Sequence, residues 1–428
     1  MMPRLLPFVY LLSLPLCMAQ SQTLQLTLAS AEKLALQNNP RIASAKFTAA
    51  AAYQVPTELR SALQPTISGN LTTVGADAGS RLAAGGLNNP VVYSRFGSGL
   101  SASQMITDFG RTGNLVQSAK LRAEAQDQAS ETVKAQVLLA TARAYYGVLR
   151  ARAVLEVARQ TVNARQLVVN QVSALAQAQM KSELDLSFAR VNLSEAQLLL
   201  ANAQNNVTAS EAELVTAMGI PGQTAFTLAD EPMPNDLLPD TVQPLLTQAL
   251  QNRPELADLR LQQDAARSFV QAERALIFPT IGVMGTAGFV PAGQEAIPGR
   301  YGAVGLNVSI PVLNGGLFKA RRSEAELRTK AISENLTDAA NAIARDVRIA
   351  YLDASTAFER VGLTAQMLTQ AQLALDLAQQ RYDLGLSSIV ELSQAQLNFT
   401  TAQIGAAGAR YDYQIERSTV EYQTGTLR

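Results

Sequence analysis

The sequence predicts a mainly α-helical fold with a β-barrel part, built as a duplicated half-domain in which long coiled-coil helices alternate with pairs of strands. Two motifs recur at a spacing of 214 residues: Asn39-Pro40 returns as Arg253-Pro254, and Pro65-Thr66-Ile67 returns as Pro279-Thr280-Ile281. Further along, the segment 182–186 returns at 388–392, a spacing of 206 residues. A repeat this long indicates a duplicated half-domain, because stacked repeat proteins have periods of about 20 to 50 residues.

The repeat and the composition between its copies divide the chain into four parts. Residues 1–19 have the pattern of an export signal, with a basic start at Arg4, a short apolar region and a small residue, Ala19, at the exit. The first repeat covers residues 20–220, and its final Gly219-Ile220 begins a Gly-Ile-Pro-Gly motif typical of a helix end followed by a turn. A proline-rich linker covers 221–240, and the second repeat covers 241–428.

Cys17 is the only cysteine and lies within the predicted signal, so we expect the exported chain to have no thiol and no disulfide. It is also the one candidate for lipid attachment. Bacterial lipid-attachment sites favour a small residue immediately before the cysteine, and Leu16 is not small. We therefore prefer cleavage before Gln20.

The composition argues against several classes of function. Lys and Arg number 35 and Asp and Glu number 35, so the chain lacks the broad basic field of a nucleic-acid-binding protein. It has no histidine, and without a cysteine beyond the signal it lacks the usual soft metal ligands and the usual general base. We expect no enzymatic activity, no cofactor, no metal site and no nucleic-acid partner.

Four segments have the alternation of β-strands, two in each repeat, at about 65–75, 93–108, 280–289 and 301–312, joined in pairs by Gly-rich tips at 83–89 and 291–299. In the last strand, Val304, Leu306 and Val308 alternate with Gly305 and Asn307. Such a pattern suits lipid on one face and water on the other, and it also suits an ordinary soluble sheet. Four strands are too few for a transmembrane barrel, which needs about eight, so strands in a membrane would have to be combined from several copies of the chain.

Two stretches predict very long helices, because residues 111–175 and 317–383 contain no proline. After each of them, apolar residues recur every seven positions beside a stripe of alanines, which is typical of a coiled-coil seam. The seam residues are Leu186, Leu193, Leu200, Val207 and Leu214 in the first repeat, and Leu392, Phe399, Ala406, Tyr413 and Val420 in the second.

Shorter helices are expected ahead of the first strand pair, at 29–37 and 41–63, separated by Asn38-Asn39-Pro40. Asparagine tolerates the left-handed conformation that ends a helix, and proline suits the first turn of the next helix. We interpret this motif as a helix break with no further role.

The order of these elements, together with the turn sequence from Tyr382 to Glu391 and the Asn-Pro and Gly-Ile-Pro-Gly motifs, resembles the TolC family of outer-membrane efflux channels over residues 20–428. The resemblance implies a homotrimer in the bacterial outer membrane, with twelve strands in one lipid-exposed barrel and an α-helical barrel that extends into the periplasm. It implies a passive exit duct that works with a periplasmic adaptor (membrane fusion protein) and an inner-membrane pump.

In this family a Gly-Leu motif at the periplasmic turns contacts the adaptor. Gly385 and Leu386, followed by Ser387, match that motif in the second repeat. Gln179 and Met180 stand at the same place in the first repeat and depart from the motif. The resemblance therefore implies docking at both turns, with the better match in the second.

The resemblance also implies a periplasmic gate. Asp185 and Tyr382 match an aspartate and a tyrosine that join neighbouring coils in the closed state, whereas Ser387 replaces an arginine of some members. Glu391 matches an acid of the constriction, and Gln394 stands where a second acid can occur. A threefold ring of Glu391 carboxylates would favour cations. Alternatively, Asp185 and Glu391 cap the helices that follow the turns, and the two roles are compatible.

Two other functions stay open. The sequence does not separate small-molecule efflux from type I protein secretion, because the pump selects the cargo, whether drug, metal or protein. A periplasmic coiled-coil scaffold or adaptor would have similar heptads. Adaptors, however, carry one helical hairpin in a β-rich body, whereas this sequence predicts two hairpins and two strand pairs.

Overall fold

The structure, a computed structural model, describes residues 24–75, 77, 81–84, 87–91, 95–221, 226–230, 232–233, 238–290 and 299–427. The predicted export signal, including Cys17, lies outside these ranges. Most of the tip predicted between the last two strands, residues 291–298, also lies outside them.

The first repeat begins with a short strand and three helices: β1 (Leu24–Leu26), α1 (Leu28–Asn38), α2 (Pro40–Ala52) and α3 (Val55–Ser61). Four strands follow: β2 (Thr66–Val74), β3 (Arg81–Ala84), β4 (Leu87–Val91) and β5 (Arg95–Thr107). Two helices complete it: α4 (Arg111–Gln177) and α5 (Glu183–Met218).

The second repeat has the same plan. A short strand, β6 (Phe226–Leu228), lies within the predicted linker. It is followed by α6 (Gln243–Asn252), α7 (Pro254–Arg274), β7 (Thr280–Phe289), β8 (Arg300–Ser309), α8 (Leu317–Asp383) and α9 (Ile389–Thr424). The fold is mainly α, as predicted.

The helix predicted at 41–63 is two helices, α2 and α3, separated at Tyr53-Gln54. The cause is Pro56, near the start of α3. A proline inside a continuous helix would lack its N–H donor and would clash with the carbonyl four residues earlier, that of Ala52. The helix therefore ends at Ala52 and restarts with Pro56 in its first turn.

The Asn38-Asn39-Pro40 motif does more than end a helix. Asn39 Oδ1 accepts a hydrogen bond from Arg41 N at 3.0 Å, and Asn39 Nδ2 donates to the carbonyl oxygen of Ala217 at 2.8 Å. The carbonyls in the last turn of a helix have no partner within the helix, so this contact satisfies one at the end of α5. The junction between α1 and α2 is thereby bonded to the C-terminal end of α5.

The second repeat makes the same joint with different chemistry. Arg253 replaces the asparagine, and its Nη1 donates to the carbonyl oxygen of Tyr422 near the end of α9, at 3.3 Å, and to Oε1 of Gln423 at 2.7 Å. Its Nη2 lies 2.8 Å from Glu255. Interpreting Asn38-Asn39-Pro40 as a plain helix break was therefore incomplete, and Arg253-Pro254 makes an equivalent joint in the second repeat.

The strands at the two predicted pairs form one four-stranded antiparallel sheet in the order β2-β5-β7-β8. The strands of the two repeats meet at the pairing of β5 with β7, for example Leu100 with Ala287. The strand predicted to end at 312 ends at Ser309, because Pro311 has no N–H to contribute to a ladder.

The chain has more strands than the four predicted. The antiparallel strands β3 and β4 overlap the tip predicted at 83–89, and β1 pairs in parallel with β6. Both are separate two-stranded sheets. Strands of three to five residues are too short to show a period, and the parallel pair joins residues about 200 positions apart, Leu24 with Phe226.

One face of the four-stranded sheet is apolar and exposed in the isolated chain. Val304 is 85% exposed, and Ile67, Leu71, Leu100 and Leu306 share this exposed face.

The opposite face is polar. Ser68 Oγ and Ser101 Oγ lie 2.7 Å apart, and Asn70 Nδ2 donates to Ser101 Oγ at 3.2 Å. The alternation predicted from the sequence is therefore present in three dimensions.

Each repeat folds its long helix back on its shorter one. The helices α4 and α8 have 67 residues each, roughly 100 Å at 1.5 Å per residue, and α5 and α9 have 36 each. The two hairpins contact each other mainly through α4 and α9, and α7 packs on α4 and α8. Among the described residues, no helix has the length and apolar character needed to cross a membrane.

The β1–β6 pair packs on the side of the long hairpin. Tyr145 of α4 is fully buried there, and its hydroxyl donates to the carbonyl oxygens of Leu26 and Ala229, at 3.1 and 2.6 Å. In the second repeat the hydroxyl of Tyr351 donates to Pro239 O at 3.0 Å. Tyr145 and Tyr351, at equivalent positions of the two repeats, thereby hold the segment between the repeats against the long helices.

Candidate gate and docking turns

The predicted docking residues lie in the two turns that join the long hairpins. In the first turn, Gln179 N donates to Ala176 O and Met180 N donates to Leu175 O, both at 2.9 Å. In the second, Gly385 N donates to Tyr382 O at 3.0 Å and Leu386 N to Arg381 O at 2.8 Å. These are the two bonds of a Schellman motif, so the repeats end their long helices in the same way.

Such a motif needs a residue in the left-handed region after the helix. Gly385 occupies it at φ 73°, and Gln179 occupies it at φ 59°. Glycine adopts this conformation without strain, whereas a residue with a Cβ is strained there. The first turn therefore keeps the geometry of the second although it lacks the glycine of the motif.

Both turns place an apolar side chain in solvent. Met180 is 71% exposed and Leu386 is 65% exposed. The neighbouring Leu184 and Leu384 are also largely exposed. Sequence reasoning selected the first pair and missed the second, although each of the missed leucines lies within four residues of a predicted docking residue.

Asp185 caps the helix that follows the first turn. Its carboxylate accepts from Ser182 N and Ser182 Oγ at 3.1 and 2.9 Å, while Asp185 N donates to Ser182 Oγ at 3.1 Å. This is a capping box, and an acid in the first turn also interacts favourably with the helix dipole. The capping alternative is therefore realised within the chain.

Glu391 occupies the equivalent place after the second turn. Its backbone N donates to Ser388 Oγ at 3.4 Å, but its carboxylate turns to the preceding helix, where Oε1 lies 3.0 Å from Arg381 Nε. Gln394, one turn further along, donates to Asn398 Oδ1 at 3.0 Å. Ser387, which stands where some family members have an arginine, is half-buried, and its hydroxyl has no hydrogen-bond partner among the described residues.

Tyr382 is only 2% exposed and lies in an apolar cluster, with Val172, Leu186 and Leu392, where the tips of the two hairpins meet. Its hydroxyl has no hydrogen-bond partner among the described residues. Burial, and then the charges of Asp185 and Asp383, raise the pKa of this phenol.

The proposed bond from Tyr382 to Asp185 is not made within the chain, and a bond in the assembled channel stays a prediction. The ring has another partner instead. Lys181, which precedes the capping box, places Nζ 3.9 Å from the centroid of the Tyr382 ring. Lys181 and Arg381 were both missed from the sequence, because the Lys181 contact depends on how the two hairpin tips pack and the Arg381 contact depends on how the second turn returns the chain.

Two segments, residues 32–220 and 245–426, match the family model described as outer membrane efflux protein. They correspond to the two structural repeats, and together they cover most of the chain.

Curated relatives agree with this match. The chain is 25% identical to the outer membrane protein TolC of Escherichia coli (strain K12) over 448 aligned positions, covering 100% of this chain and 87% of that protein. It is also 25% identical to the alkaline protease secretion protein AprF of Pseudomonas aeruginosa, with 92% of this chain and 83% of that protein covered.

Solved structures have the same fold. CusC, whose structures concern folding and transmembrane channel formation, superposes with a TM-score of 0.81 at 19% identity, over 94% of this chain and 93% of CusC. The resemblance predicted from the repeats and turns is confirmed, and the chain belongs to the outer membrane efflux protein family.

Proposed function

We propose that three copies of this chain form the exit duct of a tripartite export system. The chain is an outer-membrane protein of an efflux family, and its long hairpins extend into the periplasm. In this proposal the three copies form one channel with a closed barrel wall. The channel is passive and has no enzymatic activity. It receives substrates from a periplasmic adaptor and an inner-membrane pump.

The observation that carries this proposal is the four-stranded sheet. It has an exposed apolar face and a polar face, and within the described residues its edge strands, β2 and β8, pair with no further strand. An open edge in lipid leaves backbone amides unpaired at several kcal/mol each. Three copies supply twelve strands, and pairing β8 of one copy with β2 of the next removes every open edge.

The same arrangement gives the apolar face a partner. In a closed barrel, Val304, Leu306 and Leu71 would contact outer-membrane lipid, while Ser68, Asn70 and Ser101 would line water. The α-helical hairpins continue from the same sheet, so a barrel of strands leads directly into a barrel of helices.

The two hairpin turns are the proposed contact with the adaptor. They lie at the far end of the hairpins from the sheet, share a backbone conformation and expose Met180 and Leu386. The neighbouring cluster around Tyr382 is the proposed gate, with Asp185, Glu391 and Gln394 beside it.

The proposed cargo is whichever class of substrate the pump selects. The relatives include TolC proteins, the solvent efflux pump outer membrane protein SrpC and the alkaline protease secretion protein AprF, so type I protein secretion is the second candidate for this duct. A periplasmic scaffold is disfavoured because it would not need an exposed apolar sheet face.

The test is conductance. Purified protein added to a planar lipid bilayer should give stepwise, long-lived ion currents, and protein in native membranes should stay in the membrane after an alkaline wash. A scaffold would be released by the wash and would give no steps. Release of the protein by the alkaline wash, together with a bilayer current no different from that of lipid alone, would reject the channel.

A further inference from the structure

The second turn carries an ion pair at the place where the proposed constriction lies. Arg381 Nε and Glu391 Oε1 are 3.0 Å apart, and both side chains are about half exposed. The same guanidinium reaches the carbonyl oxygen of Leu386 through Nη2, at 3.5 Å. The arginine therefore spans the turn from the end of α8 to the start of α9.

The pair is favoured by its position as well as by contact. Arg381 is in the last turn of α8, where a cation interacts well with the helix dipole, and Glu391 is in the first turn of α9, where an anion does. The Schellman motif fixes the direction in which the chain leaves α8, close to Arg381. This local geometry is built within one chain, so each copy brings its own pair to the assembly.

We propose that Arg381 is a charge-selectivity residue of the channel, which cancels the charge that Glu391 would otherwise present at the periplasmic constriction. The inference rests on the proposed trimeric duct and adds to it. Three unpaired carboxylates around a pore would favour cations. Three ion pairs carry no net charge, so their field falls off much faster with distance than that of three carboxylates.

Two of the other charged groups at the turns have partners within the chain. Asp185 is held by Ser182, and Lys181 lies over the Tyr382 ring. The remaining acid beside the second turn, Asp383, accepts from Gln171 at 3.2 Å and from Gln379 at 3.0 Å, neither of which carries charge. Removing Arg381 therefore exposes the charge of Glu391 without a nearby cation on the same turn to replace it.

The experiment measures the reversal potential of the purified channel in bilayers under a potassium chloride gradient. Arg381→Gln should shift the reversal potential towards the potassium equilibrium potential, and Glu391→Gln should shift it towards that of chloride. The double variant should return close to the wild-type value, and Arg381→Lys, which keeps the charge, should also stay close to it. Each shift should shrink at about 1 M salt, where the screening length is only about 3 Å.

A matched control removes the same charge elsewhere on α8. Arg328 pairs with Glu324 in an exposed i,i+4 ion pair, 53 residues before Arg381 and so about 80 Å away along the helix. Arg328→Gln should change the salt-dependent selectivity less than Arg381→Gln.

The outcomes separate this inference from the function on which it rests. If wild-type protein gives no conductance, the duct itself is rejected. If all variants conduct as stable pores but Arg381→Gln leaves the reversal potential unchanged, or shifts it towards chloride, the duct stands and the role of Arg381 is overturned. A variant that fails to assemble is replaced by Arg381→Met, which keeps much of the side-chain volume and must show the same shift towards potassium.

Discussion

Lys181 Nζ lies 3.9 Å from the centroid of the Tyr382 ring, and this contact joins the first turn of the chain to the second. The two residues are about 200 positions apart in the sequence and belong to different repeats. A cation over an aromatic face is worth about 0.5 to 1 kcal/mol at an exposed site. The tips of the two hairpins are therefore held together by a weak polar contact above an apolar cluster.

We expect Lys181→Gln to loosen the resting gate. Loss of about 0.5 to 1 kcal/mol corresponds to an increase in open probability of about twofold to fivefold, measured by single-channel recording. Lys181→Arg, which keeps a cation able to stack on the ring, is the control and should behave like the wild type. Equal open probabilities for Lys181→Gln and the wild type would show that the contact has no part in gating.

Tyr382→Phe separates the hydroxyl from the ring. The phenylalanine keeps the surface on which Lys181 stacks and removes only the group that we expect to bind Asp185 in the closed trimer. A net hydrogen bond contributes about 0.5 to 1.5 kcal/mol, so the variant should fold normally and open more often. The hydroxyl has no hydrogen-bond partner within the described chain. An unchanged resting conductance of the variant would therefore show that the hydroxyl has no role in the gate either.

Gly219 tests the joint between the first helices and the end of α5. It has φ 69°, and a Cβ there would lie 2.6 Å from Asn39 Cα and 2.7 Å from the carbonyl oxygen of Asn38. We expect Gly219→Ala to lower the free energy of unfolding by about 3 kcal/mol or more, because backbone strain and overpacking both contribute.

Gly385 is the matched control for this substitution. It has φ 73°, but a Cβ there would meet no atom of the described residues within 4 Å. Gly385→Ala should cost only the conformational part, about 1 to 2 kcal/mol. Thermal unfolding followed by circular dichroism should therefore give a lower midpoint for Gly219→Ala. Equal midpoints would show that Asn39 and Gly219 do not form a rigid joint.

Glu416 of α9 gives a prediction that depends on pH. Burial, and then the charge of Asp353, raise the pKa of Glu416; Asp412 adds to this effect, while Arg143 and Arg360 oppose it. A raised pKa in the folded state means that the protonated form is favoured by folding. Its contribution to stability is present at acidic pH and is lost as the pH rises through the folded-state pKa.

At pH 7.5 the wild-type protein therefore carries an unfavourable charge that Glu416→Gln removes. We expect the thermal midpoint of the variant to exceed that of the wild type at pH 7.5, with the difference shrinking towards pH 4. Glu213→Gln, at an exposed position on α5, is the control for the loss of one carboxylate. A variant midpoint below the wild type at both pH values would mean that the arginines outweigh burial.

The long helices could be predicted closely from the sequence. The stretch predicted at 111–175 is a helix from Arg111 to Gln177, and the one predicted at 317–383 has those bounds in the structure. A long proline-free sequence carries this information locally, and the seven-residue apolar period identifies the helices that follow, α5 and α9. The alternation of β8 was predictable for the same reason, since its two faces have different chemistry.

Contacts between distant segments could not be predicted in this way. The β1–β6 pair, the bond from Asn39 to Ala217 and the stacking of Lys181 on Tyr382 all join residues far apart in the chain. None of them leaves a local period in the sequence. The ion pair of Arg381 with Glu391 is closer in sequence, but it depends on the angle at which the turn returns the chain.

The claim on which the account depends is that one chain supplies only part of a closed barrel, because the edges of its sheet at β2 and β8 have no partner within the described chain. Native mass spectrometry of protein extracted from the outer membrane in mild detergent tests it most directly. We expect a particle with the mass of three chains. A particle with the mass of a single chain, still able to conduct ions in a bilayer, would contradict it.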